Sequence, residues 1–333
     1  MDHIFDPLDA EIILRSCDGI DFGVHGNILR LISPLFEDVL ASTQQLPSSS
    51  PFIQMTEDSN SLRLLLAFSY PRTVCEEPDL HTMLDIKRTA ILARRYDLKF
   101  LHTKVEQALL RYSTVSPAAT FAVSWKYSYH DAARAAARCS LDEPDFFKSI
   151  AYSDEIPEFG EIPATAVLLL YRYHTSVRGQ LEHVLQLNSL EHPITWISPN
   201  HIGASLQNGA EPTCTCNMAV VWFRQPDTGG VSEWRVYSWW WEYVFAVVLS
   251  LQSERRPCVE AALDDSMPHC LRMASRCNIC DNGAALAARV LYATRQALLR
   301  KIEELLGAIP LSLPCDIGLH SAVDTLMPLT NLA

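Results

Sequence analysis

One stretch, residues 11–40, changes from a strand pattern to a helix pattern and so limits the folds open to this chain. Ile12 and Leu14 stand at alternate positions, the period of a strand, and Asp18-Gly19 is a two-residue hairpin signal before a second alternating run. After the hairpin, the apolar residues fall at helical spacings. Ser33-Pro34 combines a favoured N-cap with a favoured first helical residue. The stretch therefore predicts a β-hairpin followed by two short helices.

This order of elements resembles the opening of the BTB/POZ family, in which an apolar-x-apolar-His exit from the hairpin leads into two helices. The matching positions are Phe22, Val24, His25, Ile28, Leu29, Ser33, Phe36 and Leu40. Two positions depart from the pattern, because Glu11 stands where an Asp usually opens the first strand and Gly26 where a basic residue often follows the His. The resemblance continues through a helix, predicted to be capped by Ser61 and to end at Tyr70-Pro71, and through Ala90-x-x-Ala93-x-x-Tyr96-Asp97-Leu98.

The expected fold class is α+β, and a chain of 333 residues is too long for one compact domain of ordinary size. Residues 1–112 are predicted to form the BTB/POZ fold, a small sheet with helices. Residues 113–195 resemble the BACK-like helical extension of many BTB adaptors. Residues 196–333 are predicted to form a mixed C-terminal domain. Its aromatic cluster is interpreted as the core of that domain in preference to a ligand groove.

Several finer boundaries follow from turn residues and periodicity. Residues 143–163 contain three prolines and predict an irregular connection before a long helix over 164–187. A last helix is predicted over 284–306, ended by Gly307. Tyr173-His174 with Trp196 resembles the lineage-expanded BTB proteins of mushroom-forming fungi.

Charge and hydropathy argue against nucleic-acid binding, secretion and insertion into a membrane. The net charge is −12, and acidic residues outnumber basic ones in each predicted domain, which argues against nucleic-acid binding. The opening MDHIFDPLDA lacks the basic flank and apolar run of a secretory signal. The most apolar run, 244–251, has eight residues against the roughly 20 of a membrane span, and predicts a buried strand or helix. We therefore expect an intracellular protein of the cytoplasm or nucleus that does not enter a membrane.

Two pairs of closely spaced cysteines are the one pattern in the sequence that suggests a metal site. Thiols of an intracellular chain are expected to be free or bound to metal, and Cys214, Cys216, Cys277 and Cys280 have the number and type of ligands that a structural zinc ion needs. The substitute ligands are His201, Cys258, His269 and Cys270. The alternative is four ordinary buried thiols. No His-Glu-x-x-His, phosphate-binding glycine loop or nucleophile elbow occurs, and His25 is expected to be structural, so no catalytic site is predicted.

The leading functional hypothesis is a non-enzymatic protein-interaction protein whose BTB domain forms a homodimer or docks a partner. The predicted dimer interface is Ile28, Leu31, Leu35, Phe36 and Val39. One alternative, implied by the resemblance, is a substrate adaptor of a cullin-type ubiquitin ligase, although residues 41–50 lack the acidic residue that cullin-binding members often carry there. The other alternative is a transcriptional regulator with a zinc-stabilised C-terminal binding domain.

Overall fold

The chain groups into two compact units, which are described separately. Unit 1 comprises residues 1–136, 155–162 and 313–333, and unit 2 comprises residues 137–154 and 163–312. The predicted boundaries after residues 112 and 195 stay predictions. The computed structural model describes residues 5, 10–43, 52–143, 145–152, 156–185, 190–206, 218–224, 229–253, 258–277, 284–311 and 313.

The predicted hairpin is confirmed and forms the centre of a small sheet in unit 1. Strand β1 (Ile12–Arg15) pairs antiparallel with β2 (Asp21–Val24), and it pairs in parallel with β3 (Phe52–Gln54) on its other side. The sheet order is β2-β1-β3. Gly19 has φ 83°, the left-handed conformation that the tight turn requires and that glycine adopts without steric cost. The alternation seen in the sequence buries Leu14 completely.

Helices cover this sheet in unit 1. They are α1 (Gly26–Ile32), α2 (Pro34–Thr43), α3 (Ser59–Ser69), α4 (Met83–Arg95), α5 (Lys99–Tyr112), α6 (Pro117–Tyr127) and α7 (His130–Cys139), of which the residues up to 136 belong to unit 1. Side chains of α1 to α5 pack with all three strands in one apolar cluster. A second cluster joins α4 to α7 and, among the described residues, includes no strand residue. The two helices predicted after the hairpin are confirmed, with Ser33 between them in an extended conformation.

The predicted cap of α3 was wrong by three residues. Asp58 is the N-cap, and its Oδ1 accepts a hydrogen bond from the Ser61 backbone N–H at 2.8 Å. Both residue types are good N-caps, so periodicity alone did not separate them. The nearby Arg88, which donates to Asp58 Oδ2 at 3.1 Å, favours the carboxylate at this position. The predicted end of the helix at Tyr70-Pro71 is confirmed.

Unit 2 combines a second small sheet with long helices. The strands are β4 (Ser205–Leu206), β5 (Met218–Arg224) and β6 (Val231–Tyr237), in the order β4-β6-β5. The helices are α8 (Phe146–Tyr152), α9 (Ala164–Leu185), α10 (Ser238–Gln252), α11 (Val259–Asp265), α12 (Met267–Ala274) and α13 (Ala284–Ala308). The apolar run 244–251 lies within α10.

Two boundary predictions fail because tertiary packing decides them. The connection predicted over 143–163 contains α8, where the Phe146 ring stacks on His174 at 5.4 Å, and a 3₁₀ helix over Pro157–Glu161. Gly307 does not end the last helix, which continues to Ala308. A glycine inside a helix costs about 1 kcal/mol, and the burial of the neighbouring Leu306 side chain offsets a loss of that size.

The aromatic cluster of unit 2 forms a core, as the sequence reading favoured. Trp239, Trp240 and Tyr243 lie on the buried face of α10. The Trp240 indole N–H donates to Thr294 Oγ1 at 2.8 Å, and the Tyr243 hydroxyl donates to the Leu263 carbonyl at 3.0 Å. These bonds satisfy the polar atoms of two large rings whose apolar area is removed from water.

The structure confirms the α+β class, since helices predominate and the described residues hold two small sheets. Among those residues, none of the helices has the length and apolar character that crossing a bilayer requires.

Candidate interaction surface

The exit from the hairpin is fixed by a polar contact between distant residues. The His25 backbone N–H donates to Tyr70 Oη at 2.9 Å, and the same oxygen lies 3.0 Å from His25 Nδ1. One hydroxyl can accept the first bond and donate the second, which ties the start of α1 to the end of α3. His25 therefore has the structural role that the sequence predicted.

Gly26 allows α1 to begin close against the sheet. A Cβ atom at this position would lie 2.7 Å from Ile12 Cδ1, closer than side-chain carbons approach one another. The departure from the basic residue common in the family therefore has a steric reason in this chain. Any side chain here would require Ile12 or the start of α1 to move.

The junction of α1 and α2 is fixed to the end of α4. Ser33 Oγ donates to the Tyr96 carbonyl at 2.5 Å and accepts from the Leu35 N–H at 3.2 Å, as expected of a cap. The Phe36 ring stacks on the Tyr96 ring, with centroids 4.8 Å apart and planes inclined by 9°. Phe36 is thus part of the domain core, at 2% exposure.

A buried carboxylate supports the same corner. Glu57 Oε1 lies 2.9 Å from the Arg95 guanidinium, an ion pair that lacks hydrogen-bond geometry. Burial, and then the charge of Glu57, raises the pKa of Tyr96, so this phenol stays neutral. A buried charge is tolerated when an opposite charge faces it, and Arg95 meets that condition for Glu57.

The predicted dimer-interface residues do not all reach the surface. Leu31 is 87% exposed, the highest exposure of any large apolar side chain among the described residues. Ile28 and Leu35 are half-buried, Phe36 is in the core, and the Val39 side chain lies outside the described residues. Ile28 and Leu31 are three residues apart on α1 and so share one side of the helix. We call Ile28, Leu31 and Leu35 the candidate interaction surface.

The predicted zinc ligands lie mostly outside the described residues. Cys214, Cys216 and Cys280 fall there, and Cys277, which follows α12, is 7% exposed. In the described part of the chain, no three His, Cys, Asp or Glu side chains are grouped to hold a metal ion. The structure therefore leaves the four-cysteine site as a prediction.

The four substitute ligands are not part of a metal-binding group in the described part of the chain. Cys258 caps α11, with its Sγ accepting from the Ala261 N–H at 3.4 Å. Burial, and then the nearby charge of Glu242, raises the pKa of the Cys270 thiol to about 11, which opposes the thiolate form that binds zinc. His201 and His269 are exposed.

Sequence reasoning missed the polar contacts that hold the candidate surface. The Tyr-Pro signal marked the end of α3, but nothing in the local pattern paired Tyr70 with His25, 45 positions away. The Glu57–Arg95 pair is likewise not readable from spacing.

A comparison with known families identifies the N-terminal region. The family model of the BTB/POZ domain matches residues 6–113. No curated protein matches the chain. The matched region contains β1 to β3, α1 to α5 and the candidate interaction surface, and BTB/POZ domains are protein-interaction domains that are generally non-enzymatic.

Proposed function

We propose that this chain is a non-enzymatic protein-interaction protein whose BTB/POZ domain, residues 6–113, self-associates through the candidate interaction surface. The observation that carries the proposal is the exposure of Leu31, 87%, on a corner that polar contacts hold rigid. A leucine held outward in this way presents its apolar area to a partner without first having to be ordered.

The energetics favour a modest dimer. Burying one leucine side chain contributes about 1.5–3 kcal/mol, and a two-fold interface buries the residue twice. A micromolar dissociation constant corresponds to about 8 kcal/mol, so Leu31 alone does not suffice. The remaining exposed area of Ile28 and Leu35 must contribute as well. Because association also costs translational and rotational freedom, we expect a dimer no tighter than the micromolar range.

Sedimentation equilibrium of the full chain tests this proposal. We expect a monomer–dimer equilibrium in the wild type and a dissociation constant at least about a hundredfold higher for Leu31→Glu, because the change brings two carboxylates together in the dimer. Leu84→Glu is the matched control, since Leu84 is also exposed, at 55%, but on α4. A wild type that stays monomeric at tens of micromolar, or a dimer indifferent to Leu31→Glu, contradicts the proposal.

The two alternative functions have less support. A cullin adaptor would use the end of α2 and the segment after it, where residues 41–50 carry no acidic side chain and 44–50 lie outside the described residues. A transcriptional regulator that contacts DNA would need a basic face, which a net charge of −12 disfavours. Intracellular localisation and a fungal origin remain predictions from the sequence.

The C-terminal region completes the proposal as a second interaction module. Residues 113–195 would serve as a helical spacer and residues 196–333 as a domain that one structural zinc ion stabilises. The burial of Cys277 between α12 and α13 supports this arrangement, because a metal bound there would join the ends of two helices. Cys214, Cys216 and Cys280 would supply the other thiolates.

A further inference from the structure

We propose that a groove in unit 1, between α3 and residues 74–79, binds an extended peptide segment of a partner protein that carries an apolar side chain two positions from a Lys or Arg. The groove shares no residue with the candidate interaction surface. The inference therefore goes beyond self-association and does not depend on it.

The groove has the size and apolar lining of a peptide site. Its volume is about 710 Å³, within the range of ligand sites, and it is partly open to solvent. Leu64 and Ala67 of α3 line it and pack against the domain core. Val74 also lines it and is 55% exposed. These side chains form an apolar surface against which one aliphatic side chain of a peptide could pack.

The charge that is not balanced inside the groove is negative. Two arginines and three carboxylates line it, so the lining side chains carry one net negative charge. Arg88 already pairs with Asp58 and Asp85. Glu76 is exposed and makes no ion pair or hydrogen bond in the described part of the chain. A Lys or Arg of the partner would complement this carboxylate.

The wall that carries Glu76 also has unpaired backbone. Within the described residues, the N–H groups of Glu76, Glu77 and Asp79 donate to no other backbone group. A peptide laid along this wall would supply carbonyl acceptors for these donors, as in strand addition. In such a peptide, alternate side chains face the same way, so an apolar residue and a basic residue two positions apart would both face the groove.

A peptide array followed by fluorescence anisotropy with the full-length protein tests the inference. The array places each large apolar residue two positions from Lys, Arg, Glu or Asp. We expect the Lys and Arg peptides to bind and the Glu and Asp peptides to bind at least tenfold more weakly. Absence of binding by every Lys and Arg peptide overturns the proposal.

Substitutions locate the binding site. Glu76→Lys and Val74→Asp, both at exposed positions where folding is preserved, should each weaken the best basic peptide at least tenfold. Glu304→Lys is the control, because this side chain is 70% exposed on α13 and pairs with Lys301. Binding unchanged by Glu76→Lys and Val74→Asp places the peptide elsewhere and overturns the proposal. Leu31→Glu should keep full peptide affinity, so that peptide binding can be tested independently of dimerisation.

Discussion

The two units reach stable cores by different means. Unit 1 packs mainly aliphatic side chains with some phenylalanine rings, and fixes its short elements with polar contacts at their ends, such as His25–Tyr70 and Ser33–Tyr96. Unit 2 buries large rings, with Trp239, Trp240 and Tyr243 on one face of α10. Its polar contacts satisfy the donors of Trp240 and Tyr243.

This difference explains why the sequence of unit 1 carries a recognisable motif and the sequence of unit 2 does not. Turn glycines, caps and the residue before a proline act within a few positions along the chain, so unit 1 carries a recognisable pattern from β1 to α5. The pairing of distant residues, such as His25 with Tyr70, is not part of that pattern. Burial of a large ring requires volume and one acceptor, which many residues and positions can supply. The aromatic core therefore appears in the sequence as a high density of aromatic residues, without a fixed spacing that would form a motif.

The largest expected effect concerns metal in unit 2. If Cys214, Cys216, Cys277 and Cys280 bind one zinc ion, elemental analysis should give one zinc per chain. Chelation or Cys277→Ser should then destabilise unit 2 by an amount on the order of 10 kcal/mol, because metal binding is coupled to folding. Unit 1, which supplies no ligand, should unfold as before. Cys17→Ser, at an exposed thiol of the hairpin turn, is the control. If the protein contained no metal and unfolded identically with and without chelator, these cysteines would be ordinary core residues.

The next effect tests whether rings dominate unit 2. Trp240→Ala removes ring contacts with Trp196 and Phe223 and leaves the Thr294 hydroxyl without its donor. We expect a loss of about 3–5 kcal/mol in the free energy of unfolding, measured in urea. Phe245→Ala on the same helix, where the ring is 46% exposed, should cost less than about 1 kcal/mol. Equal losses in the two variants would show that the core is not organised around Trp240.

A smaller effect tests the polar contacts of unit 1. Tyr70→Phe deletes the hydroxyl that contacts both the His25 backbone N–H and Nδ1. We expect a loss of about 1–2 kcal/mol in urea unfolding, because a part-buried N–H loses its acceptor. Tyr292→Phe, at a phenol that is 61% exposed, should leave the stability unchanged. An unaltered Tyr70→Phe protein would mean that apolar packing alone holds the corner.

The smallest effect depends on pH and involves the 3₁₀ helix over Pro157–Glu161. Burial by itself would raise the pKa of Glu161, but hydrogen bonds from Lys126 and Lys87 outweigh it and hold the pKa below its ordinary value of 4.5. A carboxyl whose folded pKa is lowered stabilises the fold above its unfolded pKa, and this contribution disappears as the pH falls through the folded pKa.

Glu161→Gln should therefore destabilise unit 1 by less than about 1 kcal/mol at pH 7, and the difference from wild type should shrink in urea titrations below about pH 4.5. Glu158→Gln, in the same short helix, is the matched control. A Glu161→Gln effect that stays constant between neutral and acidic pH would assign the loss to packing instead of charge.

Local chemistry in the sequence determined the hairpin, the break at Ser33-Pro34 and the end of α3 at Tyr70-Pro71. Each depends on residues that act within a few positions of one another, through a left-handed glycine, a cap or the steric restriction before proline. These features were therefore predictable without knowledge of the fold, and so was the family resemblance that they carry.

Tertiary structure alone decided which residues form the candidate surface. Helical spacing placed Leu31 and Phe36 in the same predicted interface, since periodicity identifies an apolar face but not what covers it. The Tyr96 ring, 60 positions from Phe36, covers Phe36, while no described element covers Leu31. The choice between Asp58 and Ser61 as cap has the same origin, because the contact of Asp58 with the distant Arg88 adds to local capping preferences of about 1 kcal/mol.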